Sequence, residues 1–181
     1  VGHTGSGKSS LMSLLLRFYD FKETDIGHIY VDGTDITTFS KRSFRNHVGI
    51  ILQDPVLFKG TITENIRFGT QVSDEEVENT LRTIGGSKLI DKFEEGMNQM
   101  ITRGGANLSV GEKQIISFAR AVVHNPSILV MDEATANIDT ETETLIQHAL
   151  ETVKKGRTMI VIAHRLSTIK NADKIVVLES G

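Results

Sequence analysis

Gly2-His3-Thr4-Gly5-Ser6-Gly7-Lys8-Ser9 opens the chain, and its reading decides the fold. The spacing Gly, four residues, Gly-Lys-Ser is that of a phosphate-binding loop. Its glycines let successive backbone N–H groups converge on phosphate oxygens without Cβ collisions. Leu11, Leu14, Leu15 and Phe18 follow at helical spacing, so Ser9 to Phe18 reads as a helix aiming its positive end at the same anion. Lys8 offers a mobile charge to the outer phosphates, and the Ser9 hydroxyl can ligate Mg2+. Gly2 through Ser10 is therefore the candidate nucleotide-binding segment, Ser10 extending the helix start. A glycine-rich turn holding a lysine by chance is the bland alternative, and the helix directly behind it argues against that.

Further along, Gly27 to Asp35 alternates Ile29 and Val31 before Asp32-Gly33, a strand and turn. Val48 to Leu52 is another short apolar run, ending in Gln53-Asp54-Pro55. Ser73-Asp74-Glu75-Glu76 has the form of a capping box, with Val77, Leu81 and Ile84 at helical spacing and Gly85-Gly86 closing the helix. Ser87 to Phe93 predicts another helix. Residues 70–124 show no clear strand and predict a helical subdomain inserted into an α/β core. Ile128 to Met131 reads as a strand buried on both faces, as do Met159 to Ala163 and Ile175 to Leu178. Thr140-Glu141-Thr142-Glu143 caps a helix carrying Leu145, Ala149, Leu150 and Val153, which Gly156 ends, and a short helix is expected near Leu166 to Lys170. Strand, helix, strand, helix, strand implies a mostly parallel sheet flanked by helices.

Asp132-Glu133 end one of those buried strands, at the sheet edge where open α/β folds bind ligands. Asp132 is placed to hold Mg2+ through water, and Glu133 to polarise an attacking water as general base. Alone the pair is a weak signal; with the phosphate loop in the same chain it reads as chemistry.

Composition sets outer bounds. The 181 residues are 39% hydrophobic and 24% charged, enough for one real core. A formal charge of −3 gives no electrostatic reason to expect nucleic acid as a partner. With no cysteine, disulfides, thiol catalysis and Cys-based zinc sites are excluded. The apolar runs are of strand length, well short of the roughly twenty residues needed to cross a bilayer. The chain opens inside the phosphate loop, without the strand such a loop follows, and stops at a strand-to-turn junction. Both ends read as cut from a longer polypeptide.

At Leu108-Ser109-Val110-Gly111-Glu112 the sequence resembles the nucleotide-binding domain of ABC transporters, whose signature reads Leu-Ser-Gly-Gly-Gln. Gln53 resembles the Q-loop glutamine, and Ala136-Asn137-Ile138-Asp139 the D-loop. His164, within Ile162-Ala163-His164-Arg165-Leu166-Ser167-Thr168, resembles the switch histidine. The motifs stand in the family's order along essentially the whole chain. The run Leu57-Phe58-Lys59-Gly60-Thr61-Ile62-Thr63-Glu64-Asn65-Ile66 is similar to exporters whose membrane domain is fused N-terminal to the ATPase.

The resemblance implies a P-loop NTPase core at 1–69 and 125–181 with a helical signature subdomain at 70–124. It implies ATP and Mg2+ as ligand and cofactor, with Ser9, Gln53 and Asp132 around the metal and Glu133, His164 and Gln53 as the catalytic set. A second nucleotide-binding domain would close the site head to tail, so that Leu108 to Glu112 face the partner's ATP and Asp139 lies at the seam. The work done would be substrate export through a transmembrane domain, at the cytoplasmic face of the cell membrane. It further implies that a central strand and an adenine-stacking aromatic precede Val1, so that these residues alone hold ATP weakly and fold with marginal stability.

Two departures stand out. Val110 and Glu112 replace the usual Gly and Gln, while Ser109 and Gly111 are kept. Val110 restricts the backbone and Glu112 adds negative charge near an anionic nucleotide. With Lys8, Gln53, Asp132, Glu133 and His164 intact, that asymmetry favours a heterodimer over a homodimer. The alternative class is a soluble ABC-type ATPase acting on DNA or the ribosome. A non-hydrolysing regulator is disfavoured by Glu133 and His164.

Overall fold

The computed structural model describes residues 1–21, 27–52, 54–132, 140–163, 170 and 172–179, with 140–142 described by backbone alone. Alternation within each strand decides the layering. Strands β3 (Val48–Ile51), β6 (Ile128–Asp132) and β7 (Thr158–Ile162) form a parallel sheet in the order β3-β6-β7. On central β6, Ile128 and Val130 turn to one face, and Leu129 and Met131 to the other. Each face thus buries its own apolar layer, as the uninterrupted run Ile128 to Met131 predicts.

Helix α1 (Lys8–Leu15) and α2 (Lys41–Arg45) cover the first face through Met12, Leu15, Leu16 and Phe44. The apolar stripe expected on Leu11, Leu14, Leu15 and Phe18 is rotated. Leu11 and Phe18 are exposed and Met12 is buried. The helix ends at Leu15, so Phe18 lies beyond it and cannot share its face. Between them, β1 (Tyr30–Val31) and β2 (Thr34–Asp35) pair antiparallel across Asp32-Gly33, both at positive φ (48° and 76°), the two-residue hairpin geometry that matches strand twist.

The second face carries the helical layer: α3 (Ile62–Arg67), α4 (Asp74–Thr83), α5 (Ser87–Asp91), α6 (Val110–Val122) and α7 (Thr140–Val153). The Ser73 capping box is formed with Glu76, and Val77, Leu81 and Ile84 are all fully buried behind it. Contrary to the all-helical expectation for 70–124, β5 (Met100–Ile101) pairs antiparallel with β4 (Gly60–Thr61). Two residues are too short for periodicity to reveal; only the long-range pairing makes them a strand. Helix α6 is the hub, packing on α3, α4, α7 and β3. Its close seat on β3 requires Gly49, where a Cβ would lie 2.3 Å from the Ala121 carbonyl oxygen.

Residues 175–178 correct a second expectation. Ile175, Val176 and Val177 are more than half exposed rather than buried. Their ordered contacts run to the first two residues. Val1 N donates to Val176 O (2.7 Å), Leu178 N–H donates to Val1 O (2.8 Å), and Gly2 bridges Leu178 in parallel. Between this segment and β7 lies a cavity of about 710 Å3, lined by Met159 and Val161 on one side and Ile175 and Val176 on the other. Among the described residues no strand pairs with β7 on the side away from β6, and no helix covers 175–178, so the segment is not enclosed as a parallel strand covered on both faces would be. The expected helix near Leu166 to Lys170 falls largely outside the described residues. Among the described residues, no helix is long and apolar enough to cross a membrane.

Candidate functional site: a phosphate loop and a capped signature helix

The phosphate loop is held by its own backbone. Gly5 (φ 84°) and Gly7 (φ 93°) take left-handed conformations that a Cβ would strain, and Gly7 is the N-cap of α1. Ser6 is fully buried beneath the loop, its N–H donating to His3 O at 3.2 Å. The Lys8 ammonium straddles the loop, donating to Gly2 O (2.8 Å) and His3 O (2.7 Å), with Ser6 Oγ at 3.5 Å. His3, Thr4 and Gly5 rim the loop and are exposed, as are Ser9 and Ser10 on the first helical turn. Those first-turn N–H groups have no intrahelical acceptor, which is the arrangement an anion can complete.

Asp132 is the last residue of β6, half-buried at the carboxyl end of the central strand. Among the described residues its carboxylate has neither a hydrogen bond nor an ion pair, its backbone being paired with Ile162 of β7. A half-buried carboxylate in that condition suits a hard cation, and the exposed Ser9 hydroxyl is a second oxygen of the right type. The residues present therefore fit Mg2+. Gln53, Glu133, Asp139 and His164, the other candidates, lie outside the described residues.

The signature segment forms the start of α6. Ser109 is its N-cap: Ser109 Oγ accepts from Glu112 N–H (3.2 Å), and Glu112 Oε2 accepts from Ser109 N–H (2.7 Å). Leu108 and Gly111 are buried, anchoring the cap, while Val110 stands exposed at the first helical position. Val110 has ordinary helical geometry, so its β-branch costs little there. Glu112 acts as capping acceptor, the role a Gln would have. Its charge is matched by Lys92, whose Nζ donates to Oε1 at 2.6 Å. Burial alone would raise the Glu112 pKa, but the bonds from Lys92 and Ser109 outweigh it and hold the carboxyl below its ordinary value. The two departures therefore leave the cap intact and its local charge neutralised.

The ABC transporter family profile matches residues 1–136, a span that takes in the loop, Asp132 and the signature. The chain belongs to the ABC transporter family. It is 53% identical over its whole length to a probable multidrug resistance ABC transporter ATP-binding/permease protein, YheH, of Bacillus subtilis (strain 168), covering 27% of that protein. It is 42% identical, again over its whole length, to a fatty acid ABC transporter ATP-binding/permease protein of Mycobacterium bovis, covering 28% of it. Among solved structures, a bacterial Atm1-family ABC exporter with ATP bound superposes with a TM-score of 0.88 at 42% identity, over 99% of this chain and 31% of that one. The chain thus spans less than a third of the length of these ABC relatives.

Two tertiary contacts of this ABC domain were not visible in the sequence. Lys92 neutralises Glu112 from 20 positions away, and Arg120 hides in the apolar run of α6. Neither has a local signature, because each acts only across tertiary contacts.

Proposed function

We propose that this chain binds and hydrolyses ATP, paired with a second nucleotide-binding domain, and powers substrate export through an associated transmembrane domain. The observation that carries the reading is the phosphate loop, with Lys8 poised over glycine-shaped backbone at the head of α1. In this reading, amides of the loop and the first turn of α1 grip the phosphates. Lys8 exchanges its carbonyl partners for phosphate oxygens as charge builds in transfer. Ser9 and Asp132, with Gln53, would hold Mg2+, which supplies charge neutralisation between the outer phosphates. Glu133, next after Asp132, takes a proton from the attacking water, and His164 orients the terminal phosphate.

The capped start of α6 supplies a second anion-facing helix end, suited to a partner's ATP. The Bacillus subtilis and Mycobacterium bovis relatives are named as ATP-binding/permease proteins, which supports a fused membrane domain and a site at the cytoplasmic face. Val110 and Glu112 favour a different polypeptide as partner, whereas the intact cap favours a second copy of the same chain. ATPase turnover of this subunit assembled alone decides between them. For the hydrolysis itself, the full-length protein carrying Lys8→Ala and Glu133→Gln should lose turnover; full activity in that double variant would refute the reading.

A further inference from the structure

Residues 54–59 run between β3 and β4 with no ladder partner; Leu57 O accepts from the Gly104 N–H (3.2 Å), while side chains serve Val56 O and both backbone polar groups of Phe58. Asn65, buried on α3, donates to Phe58 O (2.9 Å) and Thr61 O (3.0 Å) and accepts from Phe58 N–H (2.9 Å). Arg120, reaching out of α6, donates from Nη1 to Val56 O (2.7 Å), from Nε to Asn65 O (2.7 Å) and from Nη2 to Asn65 Oδ1 (3.2 Å). The Phe58 and Phe68 rings stack 4.7 Å apart and nearly parallel, and the Arg120 guanidinium lies 5.6 and 5.0 Å from their centroids. A planar fork with five donors can serve two carbonyls, an amide oxygen and two ring faces at once; an ammonium cannot.

We propose that Arg120 is a positioning residue for ATP hydrolysis. It fixes the segment that follows Gln53 to the helix that Ser109 opens, so the two move as one body. The inference rests on the hydrolysis reading above. Its physical basis is that, beside the Gly104 bond to Leu57 O and the Asn65 bonds from α3, Arg120 is the side chain that ties this loop to α6. None of the clamp's bonds reaches the phosphate loop, and α1 packs in the other apolar layer. Loss of the clamp should therefore slow the chemical step while sparing nucleotide grip.

The test uses the full-length transporter, measuring kcat, KM for ATP, the folded fraction and amide exchange. In Arg120→Lys, charge is kept but the fork is lost. Per folded molecule, kcat should fall roughly tenfold with KM within about twofold, the signature of misplacement without lost binding. Exchange at Phe58 should quicken while exchange in the phosphate loop does not. Unchanged kcat, or a kcat loss matched by an equal rise in KM, overturns the proposal. If Arg120→Lys does not fold, Phe58→Leu/Phe68→Leu decides. Those rings are 45% and 55% exposed, so their loss is tolerable, and kcat should fall about threefold with KM unchanged. Unchanged kcat in that folded variant overturns the proposal equally. Lys8→Ala separates the two levels: turnover surviving it refutes hydrolysis at this site. Turnover lost in Lys8→Ala but intact in Arg120→Lys refutes only the role of Arg120.

Discussion

The phosphate loop and the signature cap are both helix starts shaped for anions, yet they are built in opposite ways. The loop closes on itself: Lys8, Gly2, His3 and Ser6 satisfy one another within seven consecutive residues. The signature cap closes its own box but depends on distant parts. Lys92 cancels the Glu112 charge, and Gly49 lets α6 sit down on β3. The loop also carries a cation held only by neutral loop oxygens, whereas the cation at the cap is spent on the Glu112 carboxylate. A site with its own mobile charge can hold phosphate by itself. A neutralised helix end has only its dipole and amides, and is better suited to completing a site begun elsewhere.

The difference has measurable consequences. Lys8→Ala in the full-length protein removes the loop's one mobile cation, and ATPase turnover should drop about 10²–10³-fold. A smaller loss would mean that the loop is not the principal phosphate grip. Gly49→Val attacks the other region from below. Its new side chain meets the Ala121 carbonyl, and urea denaturation should show a loss of about 1–3 kcal/mol. Unchanged stability would show that the seat of α6 is slack. Ser109→Ala removes one half of the capping box and should cost about 1 kcal/mol.

Glu112→Gln should have the smallest effect, because the capping acceptor is retained. Its interest lies in pH. The folded pKa of Glu112 lies below its ordinary value of 4.5. Its ionised form therefore adds stability that is fully present above that value and lost as pH falls through the lowered one. The stability difference between native protein and Glu112→Gln should accordingly shrink between neutral pH and the acid side of 4.5. Urea midpoints at both ends check it, and a constant difference would mean the Lys92 bond contributes nothing.

Local chemistry made much of this protein readable. The phosphate loop, the Ser73 capping box, the Asp32-Gly33 turn and the buried run at Ile128 to Met131 each depend on residues within a few positions of one another. Short-range sterics and hydrogen bonds settle such features before the chain folds. The face of α1 was misjudged because its helix stops at Leu15, and 175–178 was misjudged because burial depends on neighbours that composition does not reveal.

By itself, then, the amino-acid order determined the kind of machine: an α/β sheet, a glycine loop for phosphate, and a signature segment. Tertiary structure alone decided how β4 meets β5, that Lys92 neutralises Glu112, and that Arg120 clasps Val56, Asn65 and two aromatic rings. Those contacts join residues 20 to 64 positions apart. Nothing in the local chain prefers them; they exist because packing two apolar layers against one sheet brings their partners within a bond's length.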